Sequence, residues 1–357
     1  MVIIVGKYIY GVINGSHTIE MEKPSASSKV RGDKGKGAMV YTIAHQDISA
    51  VVSNSPIVDY TCLSKDIVAR RLIEHQMVNE GIMQLGYTIL PASLGSFAVN
   101  ENEVRDILNK GYNLIKETIE KITDKIEIDV CATWSDFAAV LKGIGDEEEI
   151  REVKEKLLAC EKITITDQMK IGNMVKEALN RKREREAEEI HKALGAISQA
   201  KSIHELMDEK MIINTAFLID TAKQKEFDAR VEELDAAFNE GLNFRCIGPL
   251  PSYSFYTLKI QKIQFERIDW ARKMLDLGDV AAKDEIKNAY QRLAASTHPD
   301  TNQIDMKKEF NDVNRAYKML VDYVKACEQT DEKGEKQVYS FREKEVKKNA
   351  ILVMVCN

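Results

Sequence analysis

The tripeptide His298-Pro299-Asp300 places an imidazole, a rigid ring and a carboxylate in three consecutive positions. Proline has no amide hydrogen and disfavours the helical conformation of the residue before it, so the chain is expected to leave a helix at His298. A histidine and an aspartate are then displayed at a loop tip. There they offer hydrogen bonds and charge to another protein.

The rest of the sequence shows no recognisable catalytic or metal-binding set of residues. None of the six histidines has a recognisable nucleophile, base or metal-ligand neighbour; they are His17, His45, His75, His191, His204 and His298. The six cysteines are scattered, without a Cys-x-x-Cys pair, so we expect them to be reduced and mostly buried. The glycine-rich segment 32–37 has no Ser or Thr after its lysine and leads into a strand, which disfavours a phosphate loop. We expect no enzyme activity, no metal and no cofactor.

Two amphipathic helices must position the tripeptide. The first apolar face comprises Ile286, Ala289, Tyr290, Leu293 and Ala294, and the second comprises Phe310, Val313, Tyr317, Leu320 and Val324. Two such helices joined by a polar turn bury their apolar faces on each other, which predicts an antiparallel hairpin. Met274, Leu275 and Leu277 are predicted to cover one side of it.

Residues 269–325 resemble the J-domain of DnaJ-type co-chaperones. The segments 286–290 and 315–320 extend the similarity beyond the tripeptide. The resemblance implies that His298, Pro299 and Asp300 contact a DnaK-type chaperone, with Lys287 and Arg292 on the outward face of the preceding helix.

The J-like segment departs from its family at several positions. Its second helix is less basic than usual, with Gln291 at an often basic position and Ala295-Ser296-Thr297 before the loop, so it steers an acidic partner less strongly. Ala282 replaces a Ser or Thr cap, at about 1 kcal/mol of helix stability. The alternative is therefore a helical appendage that no longer stimulates a chaperone.

Composition limits the other partners. A net charge of −6 and a pI near 5.7 disfavour a general nucleic-acid binder. The apolar runs are shorter than the roughly 20 residues that span a bilayer, and no signal-peptide pattern is visible, so we expect a cytoplasmic protein without membrane insertion.

The first 135 residues interleave strand and helix patterns. The predicted strands are 2–13, 39–44, 48–52, 88–90 and 126–134, the predicted helices are 64–85 and 101–121, and a loop is predicted over 14–37. The helix over 64–85 is expected to turn five aliphatic side chains inward, namely Ile67, Val68, Leu72, Ile73 and Val78. The pattern indicates an α+β domain with helices over an antiparallel sheet.

The next 130 residues repeat this logic in a second α+β unit. The predicted helices are 136–160, 166–200 and 226–238, the last capped by Gly241, and the predicted strands are 211–220 and 242–247. The run 181–189 carries four positive and four negative residues. We interpret it as a solvated helix face with side-chain pairs rather than as a nucleic-acid patch.

The last 30 residues contain a charged segment followed by an apolar one. Residues 328–348 are charged and are predicted to form a flexible tail, whereas residues 350–355 are wholly apolar. This end is predicted to form an edge strand of the chain's own fold. The alternatives are addition to another sheet edge or binding in an apolar groove.

Five blocks between the N-terminus and residue 265 resemble the gas vesicle protein GvpL/GvpF family. These blocks are residues 7–12, 47–52, 75–91, 214–219 and 246–255. The resemblance implies a ferredoxin-like N-terminal sheet and a role in gas vesicle formation, with the hydrophobic shell protein GvpA and other gas vesicle proteins as partners. Leu250 replaces a bulky aromatic residue in the Gly-Pro-x-Pro turn, and residues 92–95 depart from the usual Arg-Phe-Gly-like segment.

We therefore expect three folded parts and a tail: residues 1–135, 136–265, 266–327 and 328–357. The expected function is a gas vesicle assembly factor that binds GvpA and recruits a DnaK-type chaperone through the J-like hairpin, in the cytoplasm and associated with gas vesicles. The alternative is a minor structural component of the vesicle shell with a degenerate J-like docking module. The sequence does not identify the surface that binds the shell protein.

Overall fold

The computed structural model describes residues 4–24, 39–158, 164–296, 304–329 and 337–356. The chain divides into two compact units. Unit 1 comprises Met1–Lys121 and Tyr256–Asn357, and unit 2 comprises Ile122–Phe255.

The N-terminal part of unit 1 contains a sheet and three helices. Its strands are β1 Val5–Asn14, β2 Glu20–Glu22, β3 Met39–His45, β4 Ile48–Pro56, β5 Ile89–Pro91 and β6 Phe97–Ala98, and its helices are α1 Lys65–Gln84, α2 Glu101–Lys110 and α3 Tyr112–Ile122. The described residues form a six-stranded antiparallel sheet in the order β2-β3-β4-β1-β5, with β6 also paired to β1. Its core combines strand aromatics such as Tyr8 and Tyr10 with Val78 and Ile82 of α1.

Unit 2 has the strand-helix-strand-strand-helix-strand succession of a ferredoxin-like fold. Its elements are β7 Lys125–Trp134, α4 Phe137–Gly145, α5 Glu148–Leu158, α6 Ile165–Gly195, β8 Ala200–Ile203, β9 Met211–Asp220, α7 Gln224–Ala237 and β10 Leu242–Leu250. The sheet order is β10-β7-β9-β8, and all pairs are antiparallel. This split arrangement of strands therefore lies in unit 2, whereas the resemblance implied it for the N-terminal sheet.

The C-terminal part of unit 1 contains the predicted hairpin and the elements that hold it. These are β11 Thr257–Lys262, α8 Phe265–Met274, β12 Val280–Ala282, α9 Lys283–Ser296, α10 Ile304–Gln329, β13 Val338–Ser340, α11 Glu343–Lys348 and β14 Ile351–Cys356. Strands β11 and β14 pair, and so do β12 and β13. The amide of Ser93, just after β5, donates to the carbonyl of Leu258 in β11 at 2.8 Å.

The α+β class with a helical C-terminal region is confirmed, as are the hairpin β3–β4 and the buried face of β7. The division at residues 135, 265 and 327 stays a prediction. One predicted element belongs elsewhere, however, because β7, assigned to the first domain, pairs with β9 and β10 in unit 2.

Four local predictions are wrong. The predicted helix 101–121 is broken at Gly111, and the predicted loop 14–37 contains β2. The predicted helix 166–200 ends at Gly195 and is followed by β8. After α7 the left-handed positions are taken by Asn239 (φ 51°) and Glu240 (φ 60°) rather than by Gly241.

The predicted flexible tail is also wrong where the structure describes it. Helix α10 extends to Gln329, and Tyr339, Phe341 and Val346 are buried in the core of the hairpin region. The prediction that the apolar end forms a strand of the chain's own fold is confirmed by β14.

The cysteines depart from expectation as well. Among the described ones, Cys62, Cys246 and Cys356 are exposed, Cys131 is half-buried and only Cys327 is buried, and all are free of disulfide bonds. Cys160 and the glycine-rich segment 32–37 lie outside the described residues. Among the residues described, no helix combines the length and hydrophobicity that crossing a bilayer requires.

Candidate functional site

The α9–α10 hairpin packs through the two predicted apolar faces. Ile286 and Ala289 of α9 and Val313, Leu320 and Val324 of α10 are buried in one cluster. Packed against this cluster, the rings of Tyr290 and Tyr317 stack at 4.2 Å between centroids, and the Tyr290 hydroxyl donates to Asn314 Oδ1 at 2.7 Å. The predicted hairpin is therefore confirmed.

The hairpin is held from both sides by other elements of unit 1. Helix α8 contributes Ile268, Ala271 and Trp270, and the Arg315 guanidinium lies 5.2 Å from the centre of the Trp270 ring. From the other side, the Tyr323 hydroxyl donates to the carbonyl of Ser340 at 2.6 Å. The hairpin thus belongs to a continuous core rather than to a separate appendage.

The outward face of α9 is open to solvent. Lys287 and Arg292 are exposed, as are Asn288 and Gln291 between them. Arg292 lies 4.0 Å from the Asp276 carboxylate, with 67% and 92% of the two side chains exposed, so this ion pair contributes little and leaves the guanidinium free to bind a partner. His298, Pro299 and Asp300 lie outside the described residues, in the segment between the end of α9 and the start of α10.

The first turn of α9 retains part of a cap despite Ala282. The Ala282 amide donates to the Glu285 carboxylate at 2.7 Å, which is the reciprocal half of a capping box. This contact offsets part of the cost expected for a missing Ser or Thr. It also fixes the beginning of the helix that carries Lys287.

The first half of α1 exposes aliphatic side chains that the sequence predicts to be inward. Ile67 is 44% exposed, and Leu72 and Ile73 are each 49% exposed, whereas Val78 in the second half is fully buried. Their predicted inward orientation is wrong, because the sheet of unit 1 covers only the half of α1 that begins at His75. We call the three exposed side chains Ile67, Leu72 and Ile73 the α1 surface.

A buried polar cluster in unit 2 was not predicted. Glu127, on the supposedly polar face of β7, is buried. The Ser254 amide and hydroxyl donate to its two carboxylate oxygens, each at 2.8 Å, and His204 Nε2 lies 3.2 Å from Ser254 Oγ. Burial and, to a smaller extent, the nearby charge of Asp129 raise the pKa of Glu127 to about 7, although these hydrogen bonds act to lower it. No sequence signal marked the cluster, because alternation assigns a residue to a face without saying what covers that face.

This cluster is not arranged for nucleophilic catalysis. The single hydroxyl hydrogen of Ser254 is given to Glu127, so His204 Nε2 must donate to Ser254 Oγ and cannot act as its base. Among the described residues no group of three or more His, Cys, Asp or Glu side chains is placed to hold a metal ion. The cluster instead clamps the turn at Ser254 onto the sheet.

Two protein-family profiles match the chain. The profile of the gas vesicle synthesis protein GvpL/GvpF family matches residues 6–257, and that of the DnaJ domain matches residues 273–328. The first match covers more than half of the chain, and the second covers α9, α10 and the tripeptide between them.

Individual relatives agree with both profiles. The chain is 25% identical to gas vesicle protein F of a Streptomyces species over 70% of its own length and 98% of the relative's, and 24% identical to that of Dolichospermum flosaquae over 57% and 87%. A stretch of 49 residues is 47% identical to the chaperone protein DnaJ of Gloeothece citriformis, covering 13% of each chain.

Solved structures share the fold of about 70% of the chain. The crystal structure of the gas vesicle protein GvpF from Anabaena sp. PCC7120 aligns over 70% of this chain and 97% of its own, with a TM-score of 0.58 and 24% identity. That of GvpF from Microcystis aeruginosa covers 70% and 98%, with a TM-score of 0.53 and 20% identity.

Proposed function

This chain belongs to the gas vesicle synthesis protein GvpL/GvpF family and carries a DnaJ domain, and from that premise we propose that it is a gas vesicle assembly factor. It binds the hydrophobic shell protein GvpA and recruits a DnaK-type chaperone through the loop that contains His298, Pro299 and Asp300. It acts without catalysis of its own, in the cytoplasm and associated with gas vesicles.

The observation that carries this proposal is the union of the two family regions in one chain. A shell subunit with a gas-facing apolar surface is prone to aggregate before it is incorporated. A protein that covers this surface and also delivers the subunit to a chaperone would prevent that aggregation until the subunit is incorporated. The exposed positions of Lys287 and Arg292 on α9 support the recruitment role, since an acidic chaperone surface would meet them unobstructed.

The α1 surface is our candidate for the shell-protein contact. Leu72 and Ile73 adjoin on α1 and are each 49% exposed, so together they offer an apolar contact, with Ile67 one to two turns away. An amphipathic segment of a small hydrophobic protein would bury them against its own apolar face. The contact would also protect the client until incorporation.

The test is capture of labelled GvpA by the full-length chain and by the double variant Leu72→Gln/Ile73→Gln. We expect the variant to retain less than about a tenth of the binding, since it replaces two of the three exposed aliphatic side chains of the α1 surface by polar ones. The matched control is Ile165→Gln/Met169→Gln, two aliphatic residues of α6 that are 77% and 63% exposed. Equal capture by both variants would remove the α1 surface from the proposal, and no capture by any chain would contradict GvpA binding itself.

The alternative role, a minor structural component of the shell, is separated by fractionation. Retention of the chain on washed vesicles favours the structural component, whereas its presence only in the soluble fraction favours the assembly factor.

A further inference from the structure

A cleft of about 620 Å³ opens between α4 and α6 in unit 2, far in sequence from the J-like hairpin and from α1. Its volume is within the range of about 300–1,000 Å³ typical of ligand-binding clefts. One wall is a stripe of α4 at helical spacing, formed by Asp136, Ala139, Val140, Gly143 and Ile144. The other wall is a stripe of α6, formed by Ala178, Arg181, Lys182 and Arg185.

The α4 wall suits an apolar segment that approaches closely. Ile144 is buried at the base of the cleft and Val140 is half-buried, while Ala139 and Gly143 leave room above them. A side chain added at Gly143 would meet no atom of the chain within 4 Å. The cleft therefore has room above Gly143 for a side chain of a partner.

The α6 wall presents two guanidinium groups that have no carboxylate partner among the described residues. In the same run, Lys182 pairs with Glu186 at 2.7 Å, and Arg183 donates to the carbonyls of Met211 and Glu209 at 3.0 and 2.8 Å. Within the described chain, by contrast, neither Arg181 nor Arg185 lies within ion-pair distance of a carboxylate. They are one helical turn apart and face the same cleft, and such like-charged neighbours repel each other. The interpretation of the run as a face laced with side-chain pairs therefore holds for Lys182 but not for these two arginines.

The acidic groups of the cleft form no ion pair with Arg181 or Arg185 in the described chain. The Asp136 side chain accepts from the amide of Ala139 at 2.9 Å and so caps α4. Glu147 is the second carboxylate of the lining. A partner that complements both walls must combine aliphatic groups with carboxylates, because guanidinium groups bind carboxylates in a bidentate manner.

We propose that the cleft between α4 and α6 binds an acidic amphipathic segment of a partner protein, with aliphatic side chains against α4 and carboxylates on Arg181 and Arg185. The apolar α4 wall disfavours nucleic acid, whose backbone presents charge without aliphatic groups. This site is independent of the proposed function, because it lies in unit 2 and uses neither α1 nor the J-like hairpin.

The test measures fluorescence anisotropy of a labelled 14-residue helical peptide with leucine on one face and glutamate on the other, added to the full-length chain. We expect binding that weakens at least about tenfold in Arg181→Gln/Arg185→Gln and when glutamine replaces glutamate in the peptide. Arg151→Gln, an exposed arginine of α5 outside the cleft, is the matched control and should bind as the unaltered chain does.

Gly143→Leu tests the cleft without removing charge. Its side chain should fill the space and abolish binding while the melting temperature is kept or raised, whereas Gly172→Leu, at an equally open position of α6 away from the cleft, should leave binding intact. Equal binding by Gly143→Leu, equal binding of the glutamine peptide, or absence of binding would each overturn the proposal. Preferential binding of a labelled single-stranded RNA that depends on the same arginines would overturn it as well.

Discussion

Glu127 is a polar residue that the sequence pattern predicts to be exposed and that the structure buries. The alternating pattern of β7 places it opposite Ile126 and Ile128, which suggests a solvent-facing carboxylate. The turn that contains Ser254 closes over that face and leaves Glu127 only 1% exposed. The pKa of Asp129 is also raised by burial, although the positive charge of His204 opposes the rise. Burial therefore favours the protonated form of both carboxyl groups, and the interaction with Asp129 favours a proton on Glu127.

This burial predicts that unit 2 loses stability as pH rises. Because the folded pKa of Glu127, about 7, lies above its ordinary value of 4.5, the stabilisation is fully present below pH 4.5 and is lost as pH rises through 7. We expect the free energy of unfolding to fall by about 1–3 kcal/mol across this range, and Glu127→Gln to flatten the slope. Urea unfolding of Trp270→Phe, which leaves Trp134 as the sole tryptophan reporter, measures unit 2.

Glu184→Gln, at an exposed position of α6, is the control and should keep the slope. A slope that persists in Glu127→Gln would assign the effect to another group.

His75 in unit 1 makes the stability depend on pH in the opposite direction. Burial lowers its pKa to about 4, so its contribution to stability is present above pH 6.5 and is lost as pH falls through 4. The two units should therefore respond to pH in opposite directions.

At the scale of elements, Gly111 marks the point at which the single helix predicted over residues 101–121 is divided into α2 and α3. A Cβ at Gly111 would lie 2.6 Å from Val353 Cγ1 and 3.0 Å from Ile115 Cδ1. Strand β14 thus packs directly against the junction of α2 and α3. The amphipathic pattern of residues 101–121 continues across this junction, so only the approach of a strand from the other end of the chain reveals the break.

Gly111→Ala is accordingly expected to destabilise the protein by about 1–3 kcal/mol through overpacking. Val353→Ala removes the methyl group that would collide, so the double variant should lose less than the sum of the two single losses, which denaturant unfolding followed by circular dichroism measures. Gly172→Ala, with no neighbour within 4 Å, is the control and should stabilise α6 by up to about 1 kcal/mol. Strict additivity of Gly111→Ala and Val353→Ala would contradict direct contact.

At the scale of the whole molecule, the J-like hairpin is a part of unit 1 and not a detachable module. Tyr339, Phe341 and Val346 return from beyond α10 into its core, and β14 then pairs with β11. A chain cut after Phe265 would lose β14 together with the hairpin. Point variants, rather than truncation, are therefore needed to separate client binding from chaperone recruitment.

The chaperone role predicts that the intact chain accelerates single-turnover ATP hydrolysis by a DnaK-type protein. His298→Gln should return the rate to its basal value, and Lys287→Glu should reduce the effect about fivefold, as the loss of about 1 kcal/mol at a charged contact implies. Lys318→Gln, an exposed lysine of α10, is the control and should act as the unaltered chain does. No acceleration, or acceleration that His298→Gln leaves unchanged, would show that the hairpin does not stimulate this chaperone.

The sequence by itself determined the local elements and both family resemblances. Periodicity located α9, α10 and β7 because each buries one continuous face, a continuous apolar run located β9, which is buried on both faces, and proline located the interruption between α9 and α10. The blocks that resemble the two families are short and contiguous, so they could be recognised in the sequence without knowledge of the fold. The exposure of Lys287 and Arg292 could also be predicted without the fold, because both residues lie opposite the apolar stripe of their helix.

Only the tertiary structure decided which faces are covered and by what. Half of α1 exposes aliphatic side chains that the described residues leave uncovered, Glu127 lies on a polar face that a distant turn closes, and Arg181 and Arg185 line a cleft rather than a paired surface. Each outcome depends on contacts between residues far apart in the chain. A periodic pattern gives the direction of a side chain relative to its own element, but burial and pairing depend on the element that packs against it.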